Sequence, residues 1–344
     1  MTTGSEVQLT GRYLSTDFTI CFSHRDALYP GGTAYLAPYL SPGDPDARGQ
    51  TCRIDVASLL TGTGPGPGYL RDQGGSHVLS NQAQRLRQYV VNPGRPTFLA
   101  VQDIYCGARR LALQSCSGAA LLHASALRLG ARTILFVGPK GAGKSTCLFA
   151  GLLGAGATVV SSDKLVLHPS ADGDLSCTGL IEGLRISRDN VAFFGDRFSE
   201  APVVRFWKDI SNWAPSRLQF GKLTVPPLEA VRLFGNPIAL ETRPAALLLL
   251  DPEPRKTGLV RQHDEVRVAR DLKAHFLEDT SPLEHGLPRD DAAEAHIIRR
   301  LIARCEIFRL SGRPSLPDLV GIINEISRAD PSAEFDARRK DRAG

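Results

Sequence analysis

Residues Gly138, Pro139, Lys140, Gly141, Ala142, Gly143, Lys144, Ser145 and Thr146 carry the most specific chemistry legible in this chain. Gly138, Gly143, Lys144 and Ser145 fit the Walker A phosphate-binding pattern G-x-x-x-x-G-K-[ST]. Glycines at 141 and 143 let a loop turn tightly and aim backbone N–H groups at phosphate oxygens. A helix opening at Lys144 adds its own N–H groups and its positive dipole end. The Lys144 ammonium supplies mobile charge for β- and γ-phosphates, and the Ser145 hydroxyl can ligate Mg²⁺.

Binding phosphates is not yet chemistry. Handing on a phosphoryl group needs a carboxylate that holds Mg²⁺ or takes a proton. Asp163 is the candidate for both, because it follows the apolar run Ala157 to Ser161 almost at once. It would stand beside the loop if that run is a strand neighbouring Thr133 to Val137; the plainer alternative is a turn-capping aspartate. His123, just before the segment leading into the loop strand, is the second candidate for proton handling. A lone histidine beside apolar residues is also a common structural element. Glu182 and Arg185 could serve as a metal-facing acid and a phosphate-facing cation, or as surface charges on a strand.

The elements needed to position these groups are also in the sequence. Ala124 to Leu129 and Thr133 to Val137 read as strands around a Gly130-Ala131 turn, with the loop helix running to about Leu153. Leu165 to His168 and Leu175 to Thr178 read as a hairpin around Ala171-Asp172-Gly173. Ala245 to Leu250 reads as a buried strand, Asp290 to Arg304 as a helix, Glu306 to Leu310 as a strand and Asp318 to Ser327 as a closing helix. Strands alternating with helices around a phosphate loop predict a two- or three-layer α/β core.

Upstream, Gln8 to Tyr13, Phe18 to Ser23 and Arg53 to Leu60 are β-prone runs between Gly/Pro turn signals, predicting a β-rich N-terminal domain over residues 1–114. Within it, Asn81 to Val91 is expected to be a helix, with Ala83, Leu86, Tyr89 and Val90 on one face. Residues 115–327 form the expected catalytic domain. Residues 328–344, charged and poor in large apolar side chains, are an expected disordered tail.

Composition bounds the rest. A chain of 344 residues with 42% hydrophobic residues has room for about two domains. Its seven cysteines are scattered, odd in number and without a C-x-x-C pair, which favours a reducing, cytoplasmic setting over disulfides or zinc. No secretory signal pattern opens the sequence, and its longest apolar run, Ala245 to Leu250, is too short to span a bilayer. The net charge of +5 is spread along the chain, so neither nucleic acid nor membrane is an expected partner.

Leu121 to Ala126, the Gly130 turn, GPKGAGKST and VVSSDKLVL together resemble the catalytic domain of the HPr serine kinase/phosphorylase family. The likeness is strongest over Leu121 to Leu167 and extends through LLLLDPEP to CEIFRLSGRPSLPDLVGIINEI. It implies an α/β P-loop kinase core of that type, with a mixed sheet and a phosphate-loop helix. It also implies ATP and Mg²⁺ as cofactors, transfer to the hydroxyl of a protein, peptide or small molecule, and a homo-oligomer. Residues 138–146 would cradle ATP, Ser145 and Asp163 would position Mg²⁺, and His123 would match the family histidine. The chain departs from the family at Ser162, where the first acid of an acidic pair is expected, which puts reversal of phosphorylation in doubt. Shortened relatives include kinases acting on peptide natural products such as lasso peptides. A nucleotide-binding regulatory module and a plain NTPase are the alternatives.

Overall fold

The computed structural model describes the strands within residues 7–91, then residues 116–170, 172–179, 184–187, 241–251, 257–277 and 290–328, with short pieces between 218 and 239. Residues 329–344 of the expected tail lie outside them, as does Glu182.

The upstream strands are β1 (Val7–Tyr13), β2 (Thr16–Phe22), β3 (Thr51–Ser58), β4 (Leu70–Arg71), β5 (His77–Asn81) and β6 (Leu86–Val91). They form a sheet of order β1-β2-β3-β6-β5-β4. The helix expected over Asn81 to Val91 is therefore a misreading. Leu86–Val91 runs parallel to β3 and antiparallel to β5. Its Tyr89-Val90-Val91 ending prefers extended backbone, and a run this short satisfies either period.

The core that carries the phosphate-loop motif begins with β7 (Ala120–Leu122), β8 (Ala124–Leu129), β9 (Arg132–Val137) and the helix α1 (Lys144–Gly154). There follow β10 (Thr158–Ser161), β11 (Leu165–Pro169), β12 (Leu175–Gly179), β13 (Leu184–Ser187), β14 (Leu218–Gln219), β15 (Lys222–Val225), β16 (Glu241–Thr242) and β17 (Pro244–Asp251). The described chain closes with β18 (Gly258–Arg261), α2 (Glu265–Lys273), α3 (Asp291–Arg304), β19 (Glu306–Ser311) and α4 (Leu316–Arg328).

Six strands build the central mixed sheet in the order β10-β8-β9-β17-β19-β18. β17 lies between β9 and β19 and parallel to both, while β8, β10 and β18 join antiparallel. Strict alternation divides its side chains between two cores. Ile134, Phe136, Ala246, Leu248 and Leu250 face one way, where Leu148, Phe149 and Leu152 of α1 and Leu319 and Ile323 of α4 cover them. Leu135, Val137, Leu247 and Leu249 face the other way, onto β11, β12, α2 and α3. The second face is closed by a four-stranded sheet of order β16-β12-β11-β7. The result is an α/β fold of three layers. A salt bridge from Arg304 Nη1 to Asp174 Oδ2 (3.1 Å) and a bond from Arg300 to the Gly173 carbonyl (2.6 Å) tie the β11–β12 turn to α3.

Two features of this core were absent from the sequence reading. β18 and α2 went unassigned, although Asp264 caps α2 by accepting from the Arg267 N–H and Val268 and Leu272 form an i, i+4 apolar pair. Moreover, β9 and β10 are not neighbours, since β8 lies between them.

The described cysteines are free thiols. Burial pushes Cys147 and Cys177 up to about 12 and raises Cys305 as well. The reactive species is the thiolate. Peptide-resolved alkylation of the folded protein at pH 8 should therefore leave Cys147, Cys177 and Cys305 unlabelled, and urea should expose all three.

Candidate functional site

The loop after β9 takes its shape from backbone demands that only glycine meets. A Cβ at Gly138 would stand 2.9 Å from the Leu250 carbonyl oxygen and 3.1 Å from the Ala142 Cβ, so the loop leaves β9 hard against β17. At Gly141 and Gly143 there is open space, but φ is +85° and +100°, in the left-handed region that favours glycine. The Ala142 N–H closes a turn on the Pro139 carbonyl at 3.1 Å, and the Cys147 N–H opens the helix on Gly143 at 2.9 Å. Gly143 is the N-cap, brings no capping side chain, and is followed by no acid in the first turn of α1. The positive end of the helix is thus not neutralised by the capping residue or by a first-turn acid. Lys144 is buried at 7% exposure and folds back, its Nζ donating to the carbonyls of Gly138 (2.6 Å) and Pro139 (3.1 Å). Ser145 and Thr146 are half-buried on the first turn.

His123 and Asp163 meet because the chain crosses between two sheets twice at one place. His123 separates β7, in the four-stranded sheet, from β8, in the central one; residues 162–164 separate β10, in the central sheet, from β11, in the four-stranded one. Ser161 pairs with Ala126 and Leu165 with Leu122, so the two crossings run side by side. His123 Nε2 then lies 3.2 Å from Asp163 Oδ1, with both side chains roughly a quarter exposed, at 26% and 30%. Ser125 Oγ donates to the Ser162 carbonyl at 2.6 Å and braces the second crossing. The Ser162 hydroxyl is buried and has no hydrogen-bond partner among the described residues.

The register also places this pair relative to the loop. Ala124 is opposite Val137, so His123 is level with the start of the glycine loop, and the bend at Asp163 lies at the same end of the sheet. Asp163 reaches that end across β8 rather than from a strand adjoining β9. Arg185 lies in β13, in a separate three-stranded sheet.

Two further groups stand at this end. Asp251 closes β17, two residues past Leu249, the partner of Val137; its signal was an apolar run ending in an acid. His275 follows α2, and its carbonyl accepts the His123 N–H at 2.9 Å. Burial, then the Lys144 charge and then His123, hold the His275 imidazole below the usual histidine value, while Asp271 pulls the other way. No local pattern marks His275, because its position depends on pairing with residues far upstream.

A hard cation fits the donor set. The Ser145 hydroxyl and the Asp163 carboxylate are oxygen donors, and Mg²⁺ commonly takes one or two protein ligands, completing its shell with phosphates and water. Among the described residues no group of three or more His, Cys, Asp or Glu is placed to hold a metal.

The fold and this end of the sheet define a class: a layered α/β protein with a glycine-rich strand-to-helix loop and an acid–imidazole pair at the same edge. No protein-family profile matches the chain, and no curated protein matches it. Among solved structures, the HPr(Ser) kinase/phosphatase from Coxiella burnetii is similar over 65% of this chain and 99% of its own, at 13% identity and a TM-score of 0.29. No helix among the described residues is long and apolar enough to cross a membrane.

Proposed function

We propose that the protein is an ATP- and Mg²⁺-dependent kinase that transfers the γ-phosphoryl group to a hydroxyl of a protein, peptide or small molecule. The observation that carries this reading is the His123–Asp163 contact, at 3.2 Å, on the sheet edge where the glycine loop begins. An acid beside an imidazole at that edge suits a proton leaving an acceptor hydroxyl. Residues 138–146 hold the phosphates, and Lys144 moves from the Gly138 and Pro139 carbonyls onto the β- and γ-oxygens. In the transfer, the bond from the γ-phosphorus to the β–γ bridging oxygen breaks and a bond to the acceptor oxygen forms. The hydroxyl proton passes to Asp163 or His123, and ADP leaves. Ser145 and Asp163 would hold Mg²⁺, which would supply charge that neutralises the phosphates. This chemistry belongs to residues 115–327, with residues 1–114 a separate β-rich domain and 328–344 a tail.

The test is transfer of labelled γ-phosphate to a panel of peptides and metabolites. Asp163→Asn should lower the transfer rate by about 10²–10⁴-fold while ADP binding is retained. Absence of transfer from the wild-type protein to any acceptor would sink the reading. One observation favours a different one: the position before Asp163 holds a buried serine, its hydroxyl without a hydrogen-bond partner among the described residues, where a second acid would assist the reaction. Tight nucleotide binding without turnover would select a regulatory module. Rapid phosphate release without acceptor would select an NTPase.

A further inference from the structure

His275 has no part in that scheme, yet it is paired with His123 through the main chain and feels the Lys144 charge. Residues 275–277 extend the four-stranded sheet past β7: Leu122 bridges Phe276 antiparallel, the His123 N–H donates to the His275 carbonyl at 2.9 Å, and the Leu277 N–H donates to Leu121 at 2.8 Å. His123 and His275 are therefore directly opposite, and cross-strand partners project to the same face. The Lys144 charge and His123 both act on the His275 ring. Among the described residues the His275 ring makes no hydrogen bond, although the group is half-buried.

We propose that His275 is a nucleotide-binding residue whose ring N–H donates to the γ-phosphate. This rests on the phosphate-loop reading above and adds a third side chain to the γ-phosphate end, besides Lys144 and the His123–Asp163 pair. Three observations converge on it. The ring is placed by main-chain pairing on both sides, not by a free loop. Its nitrogens have no competing partner among the described residues. Its neighbours are the phosphate lysine and the proton-handling histidine, and the γ-phosphate must lie between those two for transfer to occur. An uncharged imidazole is suited to that place, because it offers a donor beside Lys144 without setting a second cation against it. It would also distinguish a nucleoside triphosphate from a diphosphate, since only the former reaches it.

The experiment is equilibrium binding of Mg·ATP and Mg·ADP to the full chain, wild type against His275→Leu and His275→Gln, with thermal melting of each. A hydrogen bond to a charged group is worth about tenfold or more in affinity. His275→Leu should lose about that factor for ATP with ADP within about twofold. His275→Gln, which keeps an N–H donor, should stay near wild type. An unchanged ATP-to-ADP ratio in His275→Leu would overturn the proposal. So would equal losses for both nucleotides in both variants accompanied by lowered melting, which would mark a structural role. Neither outcome depends on an acceptor, so failure of the kinase reading, seen as no transfer by the wild-type protein, is read separately.

Discussion

Lys144→Ala should abolish measurable phosphoryl transfer, a loss of about a thousandfold or more, and weaken ATP binding more than ADP binding. The side chain is buried, and its Nζ donates to the Gly138 and Pro139 carbonyls of its own loop, 2.6 and 3.1 Å away. An ammonium held out of water is costly, and phosphate oxygens satisfy it better than neutral carbonyls do. Truncation also leaves those carbonyls without their donor, so some loss of loop order accompanies the loss of charge. Lys144→Arg is the informative companion. Its charge remains, but a planar fork cannot occupy a site shaped around a point donor, so transfer should fall nearly as far. Filter-bound label from γ-labelled ATP measures both. A Lys144→Ala protein that transfers phosphate at wild-type rate would remove the loop from the reaction.

Gly179→Ala should destabilise the protein by more than about 4 kcal/mol, beyond the range of ordinary substitutions. A Cβ at this position would stand 1.6 Å from the Val160 carbonyl oxygen and 2.7 Å from its carbon. Both are main-chain atoms of β10, and a Cβ has no rotamer by which to escape. Gly179 ends β12, paired with Leu165, so here the four-stranded sheet presses directly on β10 of the central one. The control is Gly173→Ala in the β11–β12 turn, where φ is +74° and nothing lies within 4 Å. It should cost only the left-handed backbone penalty, about 1–2 kcal/mol. Urea unfolding midpoints, with the slope checked for constancy, separate the two. Similar midpoints would mean that the sheets can part at Gly179 without penalty.

Much of the core was legible because local pattern and final structure agree. Thr133 to Val137 is β-branched and apolar, the glycine loop is punctuated by residues that only left-handed turns require, and α1, α3 and α4 carry apolar repeats at helical spacing. Ala245 to Leu250 read as a buried strand because it is covered on both faces, by α1 and α4 on one and α2 and α3 on the other. What stayed hidden was adjacency. Nothing near Asp163 says that β8 lies between its strand and the loop strand, since that order is set by a pairing with β8 some thirty residues upstream. His275 was hidden for the same reason. α2 was overlooked because only Val268 and Leu272 of its nine residues are buried, so its apolar stripe is short. The strand Leu86–Val91 shows the opposite failure, where a brief pattern satisfied the wrong period.

The crossings at His123 and at residues 162–164, with the close approach at Gly179, stitch two sheets together along one seam. A group on a surface loop is held by that loop; this acid and this imidazole are each a stitch. Their separation is therefore a property of how the two sheets are laid on one another. Any slippage between the layers pulls the pair apart before either sheet has lost a strand, so the proposed proton transfer is expected to report on the fit of the layers more sensitively than the helical signal of the domain does.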